Sequence, residues 1–370
     1  LDARATGRRR GRRSTGLNSR NYPVSSEDTG GTRKEFAMGM LVNGRWQNDD
    51  LRSGAGADFV RPQTVFRNWV TADGRPGPSG DGGFKAAAGR YHLYVSLACP
   101  WAHRTLIVRK LKKLDGAISV SVVDPFMGDD GWAFSAPDGS LTPGATRDHV
   151  NGAAYLHEIY TRARRDYVGR VTVPVLWDRE RNTIVNNESS EIIRMFNSAF
   201  DDVGAAGDDL YPQPQRSEID ELNAVIYDTV NNGVYKCGFA KTQEAYEAAF
   251  APLFGTLERL EQRLSRRRFL LAANTTEADW RLFTTLVRFD AVYYSHFKCN
   301  LRRIVDYPNL WDYTRDLYQV PGVAETVNLA HIKRHYYASH AMINPTRIVP
   351  LGPAIDFAAP HQRARLINQV

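Results

Sequence analysis

The sequence has few cysteines and lacks any long hydrophobic run. It contains 370 residues and three cysteines, Cys99, Cys237 and Cys299, an odd number that does not suit a disulfide framework. Free thiols in a reducing compartment are therefore expected, and the predicted location is the cytoplasm. No apolar stretch approaches the roughly 18–20 residues of a membrane span, so the sequence predicts no membrane partner.

Acidic residues are nearly missing from the first twenty positions. Seven arginines and one acid, Asp2, give residues 1–20 a charge of +6, which leaves +1 of the total +7 for residues 21–370. Because residues 21–370 are nearly neutral, they lack the excess of basic residues that is typical of a nucleic-acid-binding domain. The arm fits either an organelle transit segment or a solvated, disordered tail, and the tail is favoured because no amphipathic apolar face is present.

Hydrophobic periodicity divides the chain into a mixed part and a helical part. The pattern predicts strands at 90–98, 117–126, 171–178 and 183–188, and helices at 101–114, 153–163 and 189–197. The order β-α-β-α-β-β-α predicts a thioredoxin-like α/β fold, with a parallel first crossover and a final hairpin. Beyond residue 215 the strand signals stop, and apolar spacing predicts helices, one of them capped by Thr276 with Asp279.

These patterns predict four segments and a pocket between the two folded ones. Residues 1–57 are expected to be a disordered or irregular basic extension. Residues 58–205 are expected to form a thioredoxin-like domain, 216–345 an all-α domain, and 346–370 a C-terminal tail.

Cys99 lies where the first predicted strand passes into the first predicted helix. The unpaired N–H groups and positive dipole of a helix start favour the nucleophilic thiolate, and His103 and Arg104 are near enough in sequence to help. The alternative is a buried, inert cysteine. Because position 102 is alanine, no C-x-x-C dithiol exists. Cys99 therefore needs an external thiol, and glutathione is the abundant one in a reducing compartment.

Two further turns face the predicted thiol. A proline that opens the third strand of a thioredoxin-like sheet is usually cis, which leaves the backbone of Val173, before Pro174, available to a peptide-like ligand. The alternative is a trans edge-strand proline. Glu188 and Ser189 lie at a strand-to-helix turn, where helix N–H groups bind a carboxylate and the Glu binds an ammonium. By themselves, these two residues are better explained as a helix cap.

Taken together, these motifs resemble those of the glutathionyl-hydroquinone reductases, also called Xi-class glutathione transferases. The resemblance rests on "SLACPWAHRT", "DDGWAF", "VTVPVLWD", "NNESSEI" and "FDAVYYSHFKCN", and it runs from about residue 58 to about residue 345. It implies a glutathione transferase fold, in which residues 58–205 form the glutathione-binding domain and residues 216–345 form the substrate domain. It also implies glutathione as co-substrate, a homodimer, and glutathionylated aromatic compounds as substrates.

The resemblance also implies roles for individual residues. Cys99 matches the catalytic cysteine of the family. The matching glutathione contacts are Trp132, Val173 with Pro174, Glu188 and Ser189. The matching tyrosines of the aromatic-substrate pocket are Tyr235, Tyr293 and Tyr336, with Tyr294 and Tyr337 as adjacent alternatives. From the spacing alone, these tyrosines are equally well explained as helix-core aromatics.

The remaining candidate ligands have structural explanations. Cys237 and Cys299 are expected to be structural thiols. No pair of histidines has the spacing of metal ligands, so no metal site is predicted.

The implied activity is glutathione-dependent reduction of glutathionyl-hydroquinones through a mixed disulfide between Cys99 and glutathione. One alternative is an omega-like transferase with general thioltransferase or dehydroascorbate reductase activity, which uses the same thiol. The other is a non-catalytic glutathione-fold binding protein. Such proteins often lack the thiol or the Glu-Ser pair, and this sequence has both.

Overall fold

The computed structural model describes residues 39–48, 63–271 and 274–366. The strands in these ranges are β1 (Met40–Val42), β2 (Arg45–Gln47), β3 (Tyr91–Val95), β4 (Ile118–Val122), β5 (Gly169–Arg170), β6 (Val175–Asp178) and β7 (Thr183–Asn186). The α-helices are α1 (Pro100–Leu111), α2 (Leu156–Ala163), α3 (Ser189–Ser198), α4 (Arg216–Ile226), α5 (Gly233–Gly238), α6 (Gln243–Leu264), α7 (Glu277–Arg288), α8 (Pro308–Tyr318) and α9 (Leu329–Ser339).

The thioredoxin-like part is a four-stranded mixed sheet in the order β4-β3-β6-β7. Strand β3 pairs in parallel with β4 and antiparallel with β6, and β6 and β7 form an antiparallel hairpin. All five residues of β3 are buried, as expected of a central strand. The predicted fold class, with its parallel first crossover and its final hairpin, is confirmed.

Beyond residue 215, the described chain is helical. The predicted cap of α7 is present, since the N–H of Thr276 donates to Oδ2 of Asp279 at 2.8 Å. Every residue of α7 is buried, so this helix forms the centre of the helical part. Helices α4 and α7 each continue into a π-helical turn, Tyr227–Asn231 and Phe289–Tyr293, and such turns are frequent at functional sites.

A small second sheet joins part of the predicted N-terminal extension to the thioredoxin-like part. Strand β1 pairs with β2 as a hairpin and also with β5, far along the chain. Leu41 is fully buried in this sheet. Strands of two or three residues are too short to show a period, so the sequence pattern does not reveal them.

Several predicted features fall outside the described ranges. They include the basic arm at residues 1–20 and the last residues of the predicted C-terminal tail, 367–370. The boundaries of the four predicted segments stay predictions. Within the described ranges, no helix combines the length and the apolar character that a membrane span requires.

Candidate active site

Cys99 is the N-cap residue of α1. Its backbone is extended (φ −75°, ψ 122°) and Pro100 begins the helix, so the side chain lies beside the unpaired N–H groups of the first turn. The thiol is partly exposed. Its Sγ lies 3.6 Å from the carbonyl oxygen of Val173, and the Val173–Pro174 peptide bond is cis. The structure therefore brings together two residues that the sequence assigned to one site.

His103, one turn further along α1, does not provide the positive charge expected of it. Burial and the nearby Arg288 hold its pKa well below the usual range, so the imidazole is neutral at pH 7. Its ring nitrogens contact Arg288 and Thr326. A neutral His103, fully buried between Arg288 and Thr326, brings no positive charge to Cys99.

Arg104, the other expected helper, is directed toward the helical part and toward α3. Its guanidinium donates to Oδ1 of Asn231 at 2.7 Å and to Oγ of Ser189 at 3.5 Å. It also lies 4.4 Å from the centre of the Trp101 ring. Arg104 thus connects the start of α3 to the helical part of the molecule.

Glu188 is the N-cap residue of α3, and Ser189 is its first residue. Oε1 of Glu188 accepts hydrogen bonds from the backbone N–H and the hydroxyl of Ser190, at 3.2 and 3.0 Å. Oε2 lies 3.5 Å from the hydroxyl of Thr64. The cap interpretation therefore applies to Glu188. It remains compatible with ligand binding because the carboxylate is only half-buried and keeps lone pairs on Oε2.

Trp132 is buried and stacks on His335 of α9, with ring centres 4.7 Å apart. The turn before it contacts the N-terminal hairpin. The indole Nε1 of Trp46 donates to the carbonyl of Asp129 at 2.7 Å. Gly131 has φ +77°, and a Cβ there would lie 2.8 Å from the Trp46 ring, so this close approach requires glycine.

The three predicted tyrosines form one hydrogen-bonded cluster. The hydroxyl of Tyr336 lies 2.5 Å from that of Tyr235 and 3.0 Å from that of Tyr293. Tyr293 and Tyr336 are fully buried, whereas Tyr235 is partly exposed. Burial raises the pKa of Tyr293 and Tyr336 well above the usual range, so both phenols keep their protons at neutral pH.

The alternative tyrosines lie elsewhere. Tyr337 contacts Oγ of Ser295 at 2.5 Å and donates to the carbonyl of Ala291 at 3.3 Å. Tyr294 is partly exposed. Because neither hydroxyl contacts the cluster, the geometry favours Tyr293 and Tyr336 over their neighbours.

Three histidines lie around the tyrosine cluster, and no sequence pattern indicates them. The rings of His335 and His340 lie 5.3 and 5.4 Å from that of Tyr336, and His296 contacts His340 at 3.3 Å. Burial lowers the pKa of His296 and of His335 to about 4, and that of His340 well below its usual range. In the described ranges, no group of three metal-ligating side chains could hold an ion.

Cys237 and Cys299 contact each other, and the backbone N–H of Cys299 donates to the carbonyl of Tyr293 at 3.0 Å. Both are buried, and burial together with the contact to Cys237 raises the pKa of Cys299 well above its usual range. Thiols in such surroundings are unreactive. Their structural role stays a prediction.

One cavity of the described residues lies away from these groups. It has a volume of about 540 Å³ and is lined by residues that include Trp69, Lys112, Arg194 and Tyr211. None of the predicted catalytic or glutathione-binding residues lines it. We therefore do not assign the active site to this cavity.

Two family models match the chain. The one for the glutathione S-transferase N-terminal domain covers residues 98–199, and the one for the C-terminal domain covers residues 243–316. A thioredoxin-like sheet that places a cysteine at its first helix, followed by a helical region, is thus the fold of a glutathione transferase.

Individual relatives define the family more narrowly. The chain is 58% identical to glutathionyl-hydroquinone reductase YqjG of Escherichia coli, over 88% of this chain and 98% of the relative. It is 54% identical to glutathionyl-hydroquinone reductase PcpF of Sphingobium chlorophenolicum, over 86% and 97% of the two chains. The glutathione-bound structure of YqjG superposes with a TM-score of 0.81, at 56% identity, over 88% of this chain and 99% of that one. The chain belongs to the glutathionyl-hydroquinone reductase family, as the sequence motifs predicted.

Proposed function

We propose that this protein reduces glutathionyl-hydroquinones with glutathione, and that Cys99 is its nucleophile. The observation that carries the proposal is the position of one partly exposed thiol at the start of α1, 3.6 Å from the Val173 carbonyl. The relatives named above, which match 88% and 86% of this chain, carry this activity in their names.

The chemistry follows from a single thiol. The Cys99 thiolate attacks the sulfur of the glutathionyl adduct, the carbon–sulfur bond breaks, and its electron pair stays on the ring carbon, which takes a proton. Cys99 is then a mixed disulfide with glutathione. A second glutathione thiolate attacks the glutathione sulfur of this disulfide, which releases glutathione disulfide and the Cys99 thiolate.

Glutathione lies across the starts of α1 and α3 in this proposal. The Val173 backbone pairs with the peptide portion of glutathione. Ser189 and the N–H groups of α3 bind the γ-glutamyl carboxylate, while the Glu188 carboxylate binds the ammonium. Trp132, stacked on His335, forms a wall of the same site.

The tyrosine cluster provides the proton for the leaving ring. Each phenol has one hydrogen to donate. Tyr235 is the partly exposed member, and Tyr336 lies between it and the fully buried Tyr293. We assign the donor to Tyr235, with Tyr336 donating to Tyr235 and Tyr293 donating to Tyr336. This order stabilises the phenolate that forms on Tyr235.

The decisive experiment is turnover of a glutathionyl-hydroquinone with glutathione, monitored for free hydroquinone and glutathione disulfide in equal amounts. A general thioltransferase is the second candidate, since a lone activated thiol also reduces small mixed disulfides. Reduction of mixed disulfides without any cleavage of the aryl carbon–sulfur bond would reject the first function and favour the second.

We also propose a cytoplasmic homodimer that has no nucleic-acid or membrane partner. The support is the family resemblance and the near-neutral charge of residues 21–370. Light scattering of the purified protein tests the dimer: a mass near 41.6 kDa would be that of a monomer and would contradict it.

A further inference from the structure

Arg288 is a fully buried arginine behind the turn that leads to Cys99. Its Nε donates to the carbonyl of Ala98 at 2.9 Å, and its Nη2 donates to the carbonyl of Leu97 at 3.1 Å. Its Nη1 donates to the carbonyl of Thr284 at 2.8 Å, within α7. Arg288 therefore holds the two peptide groups that immediately precede the nucleophile.

A hydrogen-bonded chain fixes the fourth contact of Arg288. The hydroxyl of Thr326 donates to the carbonyl of Val323 at 2.6 Å, so its oxygen accepts from Nε2 of His103 at 2.8 Å. Because neutral His103 then carries its proton on Nε2, Nδ1 accepts from Nη1 of Arg288 at 2.9 Å. The four acceptors around Arg288, three carbonyl oxygens and a ring nitrogen, are all neutral.

Arg288 is also the last residue of α7, directly before the π-helical turn that ends at Tyr293. Arg288 thus contacts the Leu97–Ala98 turn that precedes Cys99. It also lies directly before the π-helical turn that carries Tyr293. Because the guanidinium binds the Ala98 carbonyl, only one peptide unit separates it from Cys99.

We propose that Arg288 is a positioning residue for Cys99, fixing the Leu97–Ala98 turn and stabilising the thiolate with its buried positive charge. The proposal rests on the assignment of Cys99 as the nucleophile. A guanidinium is always charged in proteins, and a nearby positive charge favours the thiolate over the thiol.

Among the residues that the structure describes, the titratable groups that face Arg288 leave its positive charge uncompensated. They are His103 on α1, Tyr293 after α7, and His335 and Tyr336 on α9. Each is neutral at pH 7, since burial lowers the pKa of the histidines and raises that of the tyrosines.

Two further charges lie near the start of α1. They are Arg104, which contacts Ser189, and Glu188, the cap residue of α3. The substitutions below leave both side chains unchanged.

The test measures how the alkylation rate of Cys99 by iodoacetamide depends on pH, with the Cys99 peptide quantified by mass spectrometry. Arg288→Gln keeps donors for the carbonyls but removes the charge, whereas Arg288→Lys keeps the charge. We expect the profile of Arg288→Gln to move up by about one pH unit. The profile of Arg288→Lys should stay close to that of the unmodified protein.

Arg281 supplies the matched control, because it is a second buried arginine of α7 that pairs with Glu277 instead. Arg281→Met should lower thermal stability and leave the alkylation profile in place. The proposal is wrong if Arg288→Gln keeps the original profile, if Gln and Lys shift it equally, or if Arg281→Met shifts it as much.

If Arg288→Gln does not fold, variants of His103 test the same positive charge while Arg288 is still present. His103→Glu places a carboxylate against the guanidinium, and His103→Gln places a neutral acceptor there. A shift in the Glu variant alone supports the proposal, and equal profiles contradict it. The alkylation rate of Cys99 is measured without turnover of any substrate. The experiment can therefore show that Arg288 has no effect on Cys99 even if activity measurements show that Cys99 is the nucleophile.

Discussion

The indole of Trp46 contacts the turn that carries Trp132 at two points, donating to the Asp129 carbonyl at 2.7 Å and covering Gly131. Trp46 belongs to the N-terminal hairpin, and its ring also stacks on His157 of α2 at 5.2 Å. The N-terminal hairpin therefore stabilises the turn that carries Trp132, which forms one wall of the proposed glutathione site.

The contacts of Trp46 with the Asp129–Trp132 turn predict the effect of Trp46→Ala. Loss of the hydrogen bond and of the ring packing frees the Asp129–Trp132 turn, at a cost of about 1–1.5 kcal/mol in glutathione binding. We expect the KM for glutathione to rise about five- to tenfold, with a smaller change in kcat. Trp69→Ala is the matched control, because Trp69 is also partly buried but donates to Ser79 instead. Equal kinetic losses in both variants would mean that Trp46 has only a general stabilising role.

The nucleophile is tested by Cys99→Ser. A serine hydroxyl forms no mixed disulfide, so turnover should fall to the background rate while glutathione binding by calorimetry stays largely intact. Cys237→Ser and Cys299→Ser are the controls. Their thiols are buried, and we expect these variants to keep most of the activity. Substantial turnover by Cys99→Ser would contradict the proposed mechanism.

The local features of the site can be predicted from the sequence, whereas its long-range contacts cannot. The Cys99 turn, the strand that follows Pro174 and the Thr276–Asp279 cap each depend on residues close together in the chain, and their patterns are specific. The contacts of Trp46 with Asp129 and of Arg288 with Ala98 join residues 83 and 190 positions apart. No periodicity records such a pairing, so both residues were missed. For the same reason, the neutral state of His103 follows only from its three-dimensional surroundings.

Acid should destabilise the folded protein through its buried histidines. Burial lowers the pKa of His92 to about 3 and the pKa of His296 and His335 to about 4, whereas an unfolded histidine titrates near 6.5. Between these values the unfolded chain binds protons that the folded chain does not bind, so stability falls as the pH decreases from about 6.5 toward 4.

At pH 5 each of these histidines costs on the order of 1–2 kcal/mol. The melting temperature should therefore fall by several degrees between pH 7 and pH 5. His92→Gln, which replaces a histidine held between two serine hydroxyls away from the tyrosine cluster, should weaken this dependence. An unchanged melting temperature across this range would show that these histidines bind protons in the folded state.

Glu188 and Ser189 are predicted to act on binding more than on chemistry. In the proposed site both residues contact the γ-glutamyl end of glutathione in the ground state and in the transition state alike. Glu188→Gln and Ser189→Ala should therefore raise the KM for glutathione more than they lower kcat. Glu191→Gln serves as control, since Glu191 lies in the same first turn of α3 but pairs with Arg67. A fall in kcat at unchanged KM would assign the pair to the chemical step.

The tyrosine cluster gives the most specific prediction, because its three members differ in exposure. Tyr235→Phe removes the proposed donor and should lower kcat for a glutathionyl-hydroquinone by roughly 10²–10⁴-fold, the usual effect of losing a general acid. Tyr336→Phe and Tyr293→Phe should follow with progressively smaller losses, because they act on Tyr235 through one and two hydrogen bonds. A small mixed disulfide, whose thiolate leaving group needs no proton, should be reduced at nearly the original rate by all three variants. Equal losses on both kinds of substrate would show that the tyrosines only shape the pocket. A larger loss for Tyr293→Phe than for Tyr235→Phe would reverse the order in which we place the proton donors.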